Sequence, residues 1–270
     1  MSTHHSKFGP WALVTGASEG IGEAFAERLA EQGFNLVLVA RREVLLEALA
    51  ARLIRAHAVE CQVIATDLSD LEAVEDLVAR TAEIDIGLVV AAAGFGTSGP
   101  LLASPLDVEL NMVALNCNSV LALTWHFGLR MARRGRGGIV LMSSLLAFRG
   151  APGAANYAAT KAYIQALAEG LRAEWAEHGV DVIAAAPGPI RSGFERRANM
   201  QMAHAMPADV VARVTLKALG RRTTVRPGWL SKLLGWSLAA LPRWAQIRVI
   251  SQVMKGMTRH QAPRAGHGSP

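Results

Sequence analysis

Short apolar runs alternate with helical patterns along most of this chain, and that alternation restricts its fold more than any other feature. Apolar runs at 11–15, 35–40, 60–66 and 86–91 are separated by helical patterns at 23–32, 43–56 and 71–82. Continuous apolar strands between helices are typical of a parallel sheet that is covered on both faces. Because no repeat, low-complexity run or linker interrupts the pattern, the sequence predicts one α/β domain.

Composition and charge exclude several other classes of protein. Of the 270 residues, 51% are hydrophobic and 19% are charged, which suits an extensive core and argues against disorder. The two cysteines have the spacing of neither a disulfide framework nor a metal site. The excess positive charge lies mostly in the last fifty residues and at 130–136, so it forms no compact nucleic-acid footprint. We expect no metal and no nucleic-acid partner.

The sequence also bears on location. The first eleven residues lack the apolar core of a signal peptide. No uninterrupted apolar run reaches the roughly 18 residues that a membrane-spanning helix needs. We therefore expect a cytoplasmic protein.

A glycine-rich turn after the first apolar run indicates a phosphate site. The sequence Thr15-Gly16-(x3)-Gly20-Ile21-Gly22 joins that run to the first helical pattern. Backbone N–H groups and a helix N-terminus in this arrangement attract a pyrophosphate, and glycines let it approach closely. A tight turn without a ligand is the alternative interpretation.

Two arginines after the second apolar run bear on the choice of nucleotide. An acidic residue at this strand end would bind the ribose hydroxyls of NAD. Arg41 and Arg42 stand here instead, and guanidinium groups bind a 2′-phosphate. The sequence favours NADP(H), with Arg41 as the better candidate; two solvated arginines at a helix start are the alternative. Asp67, after the third run, either caps the next helix or marks the adenine edge of the site.

A tyrosine and a lysine four residues apart open the long helical pattern at 156–178. On a helix Tyr157 and Lys161 share one face, one turn apart. A neighbouring cation favours the phenolate, so we expect Lys161 to lower the pKa of Tyr157 toward the working range of an acid–base catalyst. Ser144 follows the apolar run at 138–142 and reaches the same place if that run is a strand. The pair by itself is also compatible with an exposed tyrosine beside a solvated lysine.

The complete set of motifs resembles the short-chain dehydrogenase/reductase family. The resemblance covers about residues 10 to 225 and rests on the order and spacing of Thr15-Gly16-(x3)-Gly20-Ile21-Gly22, Asp67, Asn116, Ser144, Tyr157, Lys161 and Pro187-Gly188-(x3)-Ser192. It implies a single doubly wound Rossmann-type domain with a parallel seven-stranded sheet flanked by helices on both faces. We expect this catalytic domain at 1–227, a helical extension of it at 228–258 and a disordered tail at 259–270.

The resemblance also implies a role for each catalytic position. Tyr157 would be the general acid in carbonyl reduction and the base in alcohol oxidation, while Ser144 would hold the substrate oxygen. Lys161 would also grip the nicotinamide ribose, and Asn116 would keep a water in a proton relay behind it. The implied activity is the NADP(H)-dependent interconversion of a ketone and a secondary alcohol of an apolar substrate. A non-catalytic NADP(H)-binding redox sensor or scaffold is the alternative.

The motifs also predict the residues that contact the cofactor. They are Gly16, Ser18, Gly20, Ile21, Gly22, Arg41, Arg42, Asp67, Leu68, Ala93, Gly94, Asn116, Tyr157, Lys161, Pro187, Gly188, Ile190 and Ser192. The chain departs from the family at one place, since Ala91-Ala92-Ala93-Gly94 replaces the usual Asn-Asn-Ala-Gly. Small residues that a cofactor can contact remain there, so we expect activity to survive.

The remaining sequence bears on the substrate and on partners. Residues 194–206 are expected to cover the substrate, where methionine and phenylalanine side chains either line an adaptable apolar pocket or serve ordinary packing: Phe95, Phe194, Met200, Met202 and Met206. The tryptophan-rich basic segment 229–257 has three interpretations, namely peripheral contact with the inner membrane face, a wall of the pocket, or contact with a partner subunit. Family members usually pair through two long helices, here 104–131 and 156–178, so we expect a homodimer or homotetramer that acts on a small-molecule carbonyl or alcohol.

Overall fold

Seven parallel strands form the central sheet of the computed structural model, which describes residues 3–201, 205–228 and 241–261. Their order across the sheet is β3-β2-β1-β4-β5-β6-β9. The strands are β1 Trp11–Thr15, β2 Asn35–Ala40, β3 Cys61–Ala65, β4 Ile86–Ala91, β5 Gly137–Met142, β6 Val180–Ala185 and β9 Thr224–Val225. Two short strands, β7 Ile190–Arg191 and β8 Met206–Pro207, pair beside the sheet. The predicted parallel seven-stranded fold is confirmed.

Helices connect these strands. They are α1 Thr3–Phe8, α2 Gly20–Ala30, α3 Glu43–His57, α4 Leu71–Arg80, α5 Leu106–Val113, α6 Ser119–Arg134, α7 Ala155–Glu174, α8 Phe194–Arg197, α9 Ala208–Ala218 and α10 Arg243–Met257. Short 3-10 turns lie at Leu101–Ala103, Leu145–Phe148 and Arg259–Gln261. No helix within the described ranges is long and apolar enough to cross a membrane.

Each face of the sheet has its own apolar core. On β1, Leu13 belongs to one core and Val14 to the other, and Val37 and Leu38 of β2 divide in the same way. Side chains of α2, α3 and α9 complete the core on one face, and those of α4, α6 and α7 complete it on the other. Both faces of every central strand are therefore dry, which explains why the strands read as uninterrupted apolar runs.

The strand order reverses between β1 and β4, and this reversal opens a crevice at the carboxyl ends of the strands. Gly16 follows β1, and the turn 92–94 follows β4. The two turns approach closely, since a Cβ on Gly16 would lie 2.9 Å from the Ala93 backbone. Gly16 also has a φ of +67°, which glycine adopts readily. The sequence predicted a ligand site at this edge, and the fold forms a crevice there.

Two predicted helices differ from the observed ones at their boundaries. The helix predicted at 104–131 begins only at Leu106, because Pro105 disfavours the helical region for the residue before it. A π-turn at Ala114–Asn118 joins α5 to α6. The helix predicted to end at 178 ends at Glu174, and the chain then reverses through Gly179, whose φ is +69°.

The C-terminal prediction is wrong in one part. Residues 259–270 were expected to be disordered, but Arg259–Gln261 form a 3-10 turn. Gln261 Nε2 donates hydrogen bonds to Ser98 Oγ at 2.8 Å and to the Asn199 carbonyl at 2.5 Å, and these bonds hold the turn. Met202 lies outside the described residues, as do the segments 229–240 and 262–270. The interpretation of 229–257 as a membrane contact therefore falls partly outside the described residues. The domain boundary at 227 remains a prediction.

Candidate active site

A cavity of about 650 Å³ opens at the carboxyl ends of the strands, and Ser144, Tyr157 and Lys161 all line it. Ser144 lies two residues beyond β5, while the other two side chains come from the first turns of α7. The structure thus brings together three residues that the sequence placed on a strand end and a helix. The remaining walls are largely apolar.

Hydrogen bonds fix the three side chains relative to one another. The Ser144 hydroxyl is hydrogen-bonded to the Tyr157 phenol and also accepts from the Leu146 N–H at 3.2 Å. Lys161 Nζ donates to the Met142 carbonyl at 2.9 Å, at the end of β5. Ser143 Oγ donates to the Lys161 carbonyl at 3.2 Å, so β5 and α7 are joined at two points.

Burial controls the ionisation of the pair. Removal from water raises the pKa of Tyr157 to about 12, although the hydrogen bond from Ser144 opposes the rise. Removal from water also lowers the pKa of Lys161 to about 8. The Lys161 ammonium lies 5.7 Å from the centre of the tyrosine ring and is hydrogen-bonded to a carbonyl. Burial thus dominates the pKa of Tyr157 in this structure, and the lowering of that pKa by Lys161 stays a prediction.

Asn116 lies in the π-turn behind the cavity, and its side chain is already engaged. Its Nδ2 donates to the Phe95 carbonyl at 2.9 Å and to Thr160 Oγ1 at 3.1 Å, while its Oδ1 accepts from the Phe95 N–H at 3.1 Å. Thr160 in turn donates to the Tyr157 carbonyl at 2.8 Å. Because both amide hydrogens are used, a water in the predicted relay would have to bond to Oδ1 or to the backbone of the π-turn.

A second cavity, of about 140 Å³, adjoins the first and holds most of the predicted cofactor contacts. Those along its walls are Gly16, Ser18, Gly20, Ile21, Gly22, Arg41, Arg42, Asp67, Leu68, Ala93, Gly94 and Ser192. The first cavity holds the others, namely Tyr157, Lys161, Pro187, Gly188 and Ile190. Asn116 lines neither cavity, but its Oδ1 lies 2.8 Å from where a Cβ on Gly94 would be.

The glycine-rich turn leaves room for a ligand only because it lacks side chains. A Cβ on Gly22 would lie 2.2 Å from the Gly16 carbonyl oxygen, and one on Gly20 would lie 2.8 Å from Ser192 Cβ. The backbone of the turn is therefore close to both α2 and the loop after β6. These residues and the neighbouring arginines fit a dinucleotide phosphate, since bare N–H groups, a helix N-terminus and two guanidiniums converge.

The two arginines differ in how firmly they are held. Arg42 donates to Ser18 Oγ at 2.9 Å and pairs with Glu19 at 3.1 Å. Arg41 pairs with Asp67 at 3.4 Å. Asp67 also accepts from the Ser69 N–H and hydroxyl, and these bonds lower the pKa of the Asp67 carboxyl against the effect of its burial. Asp67 thus holds the turn after β3, and Asp70 is the residue that caps α4.

Several contacts around the two cavities were not predicted. Glu19 forms ion pairs with both Arg42 and Arg197, so it links the glycine-rich turn to α8. Thr15 Oγ1 accepts from the Ala93 N–H at 3.0 Å and joins β1 to the turn after β4. Glu109 accepts from Asn156, the residue before Tyr157. The sequence offered no signal for these partners, because they are distant in the chain.

Helix α10 forms one wall of the larger cavity. Its inward side chains, together with Phe194 and Met200, supply the apolar surface: Val249, Ile250, Val253, Met254 and Met257. Ile250 and Met254 are buried in the same cluster as Tyr157. For the described part of 229–257, the pocket-wall interpretation therefore holds. Within the described ranges no three His, Cys, Asp or Glu side chains form a group that could hold a metal.

Replacing Lys161 by methionine should raise the free energy of unfolding of the cofactor-free protein at pH 7. The folded-state pKa of Lys161 is about 8 against an ordinary 10.5, so folding below pH 8 buries a charge at a cost of about 3 kcal/mol. This cost is at least as large as the roughly 1.5 to 3 kcal/mol that the lost hydrogen bond from the charged group to Met142 contributes. The unfolded chain binds the extra proton between these two pKa values, so the cost declines as pH rises through that window.

Urea unfolding of both proteins from pH 7 to pH 10 measures this effect. The advantage of Lys161→Met should shrink above pH 8, whereas the exposed control Lys217→Met should differ from the wild type by a constant amount. A Lys161→Met advantage that is independent of pH would contradict the buried-ammonium assignment.

Comparison with known proteins agrees with this geometry. The family model described as short chain dehydrogenase matches residues 10–203. A 7beta-hydroxysteroid dehydrogenase of Mediterraneibacter gnavus is 31% identical over 180 residues, which are 67% of this chain and 68% of that protein.

Solved structures resemble the whole fold. One, from work on 7beta-hydroxysteroid dehydrogenase stereoselectivity, has a TM-score of 0.85 at 27% identity and covers 91% of this chain and 98% of its own. Another is a short-chain dehydrogenase from Sphingobium yanoikuyae in complex with NADPH, with a TM-score of 0.76 at 28% identity. The match covers 96% of this chain and 98% of that structure's chain. The chain therefore belongs to the short-chain dehydrogenase/reductase family, and it is a nicotinamide-dependent oxidoreductase that acts on hydroxyl and carbonyl groups.

Proposed function

We propose that this protein is an NADP(H)-dependent carbonyl reductase, or alcohol dehydrogenase in reverse, for a bulky apolar ketone, with Tyr157 as the proton donor. The observation that carries the proposal is the convergence of Ser144, Tyr157 and Lys161 on a cavity of about 650 Å³. The likeness to a 7beta-hydroxysteroid dehydrogenase supports a large apolar substrate.

The chain's own residues supply the proton and the orientation, while NADPH supplies a hydride when it is bound. Because its pKa is raised, Tyr157 is protonated at neutral pH and can donate its proton to the oxygen of the carbonyl as that oxygen gains negative charge. Ser144 is hydrogen-bonded to Tyr157, so its hydroxyl can hold the same oxygen. In alcohol oxidation the phenol would have to lose its proton first and then accept one from the alcohol.

Lys161 is placed to bind the nicotinamide ribose. Its ammonium lies near the turn after β4, where a Cβ on Gly94 would be 3.5 Å from Nζ. The lowered pKa of Lys161 means that the charge is present at pH 7 and is lost as pH rises through about 8. Cofactor binding should weaken over that range.

A preference for NADP(H) over NAD(H) is supported by the charges of the second cavity. Arg41 and Arg42 line it beside Asp67, and Asp67 is the carboxylate that pairs with Arg41. That pair is long, at 3.4 Å between partly exposed groups, so a phosphate can replace it at little cost. The NADPH complex of the Sphingobium yanoikuyae relative agrees with this choice.

A non-catalytic NADP(H)-binding sensor or scaffold is the second candidate. It would require the glycine-rich turn and the arginines but not the phenol. The hydrogen bond between Ser144 and Tyr157 and the anchoring of α7 to β5 favour the enzyme, because they orient a proton donor toward the apolar cavity.

Replacing Tyr157 by phenylalanine separates the two candidates. The substitution removes the proton donor, so we expect NADPH-dependent reduction to fall by at least about a hundredfold while NADPH binding persists. Turnover of ketones and aldehydes from acetone to steroid size is measured by NADPH oxidation, and binding by calorimetry.

The matched control is Tyr163→Phe, which changes the other tyrosine of the chain on the same helix. It should leave turnover within about twofold of the wild type. An active Tyr157→Phe enzyme would contradict the assignment of Tyr157, and a wild type that binds NADPH but reduces no compound would favour the sensor.

Replacing Arg41 by alanine tests the phosphate site. We expect the dissociation constant for NADPH to rise roughly 10- to 100-fold, because a charge-assisted bond to the 2′-phosphate is lost, and that for NADH to change little. Arg55→Ala, at an exposed position near the end of α3, removes an equal charge outside both cavities and controls for net charge. Equal losses of affinity for NADPH and NADH would contradict the assignment of Arg41 to the 2′-phosphate.

Pairing of two copies through α6 is supported by an exposed apolar stripe. Leu121, Trp125 and Leu129 are exposed at intervals of four residues, so they lie on one face of the helix. Such a stripe marks a contact surface in a homodimer or homotetramer. Trp125→Glu should therefore reduce the mass of the assembly in sedimentation equilibrium, and an unchanged mass would exclude this face.

A further inference from the structure

Two arginines line the same cavity as Tyr157, and the proposed reduction assigns no role to either of them. Arg226 follows β9 at the carboxyl edge of the sheet, and Arg149 follows the 3-10 turn that begins just after Ser144. Both side chains are half-buried. They differ from the arginines of the second cavity, because Arg42 and Arg197 each pair with Glu19.

The position of Arg226 leaves its hydrogen-bonding edge available. Its guanidinium carbon lies over the Phe148 ring, 4.2 Å from the ring centre, which is a cation–π contact. This contact uses none of the N–H groups of Arg226 as hydrogen-bond donors. Arg226 Nε is buried and has no hydrogen-bond partner in the described part of the protein.

Arg149 lines the same cavity, and its side chain is also incompletely hydrogen-bonded. One terminal nitrogen donates to the carbonyl of Phe148, but its buried Nε has no partner among the described residues. Neither arginine forms an ion pair with a carboxylate in that part of the chain. The remaining segments, 1–2, 202–204, 229–240 and 262–270, contain no Asp or Glu that could supply one.

A half-buried guanidinium beside an apolar wall is a favourable partner for an anion. Opposite charges attract each other more strongly there, because less water screens them than in open solvent. A carboxylate is planar and accepts two parallel N–H bonds from one guanidinium, so it matches the free edge of Arg226. The phosphates of the cofactor are already accounted for by the second cavity, which has its own arginines.

The geometry points to a substrate with three parts, and this inference rests on the proposed reductase function. The first part is a ketone whose carbonyl lies at Tyr157, and the second is an apolar body that lies along α10. The third is a carboxylate that binds Arg226, and Arg149 contributes to that binding. The aliphatic side chains of α10 form the wall along which that body lies. The carboxylate would fix the orientation of a body that apolar contacts alone leave free to slide.

Matched pairs of substrates test this directly. Methyl ketones that carry a carboxylate at the far end of an alkyl chain of increasing length are compared with their methyl esters. At the best chain length, kcat/KM of the wild type should be at least about tenfold higher for the acid than for the ester. Arg226→Gln should bring this ratio close to one, mainly through the KM of the acid, and Arg149→Gln should lower it less.

The control is Arg248→Gln, which removes an exposed charge of α10 that does not line the cavity. This variant should retain the preference for the acid, because a general effect of net charge on anionic substrates would be small. Equal kcat/KM values for acid and ester in the wild type, or a preference that Arg226→Gln retains, would overturn the inference.

A binding measurement separates this inference from the proposed reaction. Dodecanoate and dodecan-1-ol have the same apolar chain, and neither contains a ketone. Calorimetry should detect tighter binding of dodecanoate to the wild type, and Arg226→Gln should abolish the difference. If no ketone is reduced but this difference is present, the proposed function fails and the carboxylate subsite stands; if the two bind equally, the subsite fails whatever the activity.

Discussion

The parallel direction of all seven strands is the constraint on which the rest of this structure depends. Because the strands run the same way, all their carboxyl ends lie at one edge of the sheet, and each strand there delivers a different group. The glycine-rich turn follows β1, the arginines follow β2, and Ser144 follows β5. Arg226 follows β9 at the same edge. The direction of the strands thus brings residues that are more than 200 positions apart in the chain to one edge of the sheet.

Burial of Tyr157 and Lys161 affects both the stability of the protein and the proposed chemistry of the site. The raised pKa of Tyr157 and the lowered pKa of Lys161 have the same cause, removal from water. A neutral phenol is useful as a proton donor, whereas a buried ammonium costs free energy of folding. Two bonds between β5 and α7 hold that ammonium where we propose that it contacts the ribose of a cofactor.

Local patterns were sufficient for most of the sheet and for part of the candidate site. The apolar runs predicted β1 to β5 to within about two residues, and motif spacing selected side chains that line the two cavities. The π-turn around Asn116 was not predictable, since its residues read as ordinary helix. The ion pairs of Glu19 were not predictable either, because its partners Arg42 and Arg197 lie far from it in the chain. Short-range periodicity carries no information about such contacts.

Order along the chain was enough to assign the fold and the family and to propose the chemistry-bearing residues, because strands, turns and the Tyr157–Lys161 spacing are local properties. Three-dimensional packing decided the rest. It buried Tyr157 deeply enough to raise its pKa although a lysine was near, and it turned α10 into a wall of the cavity. It also placed Arg226 over the Phe148 ring, and among the described residues no carboxylate pairs with it. Desolvation and pairing depend on which distant atoms surround a group, and only the folded chain specifies those atoms.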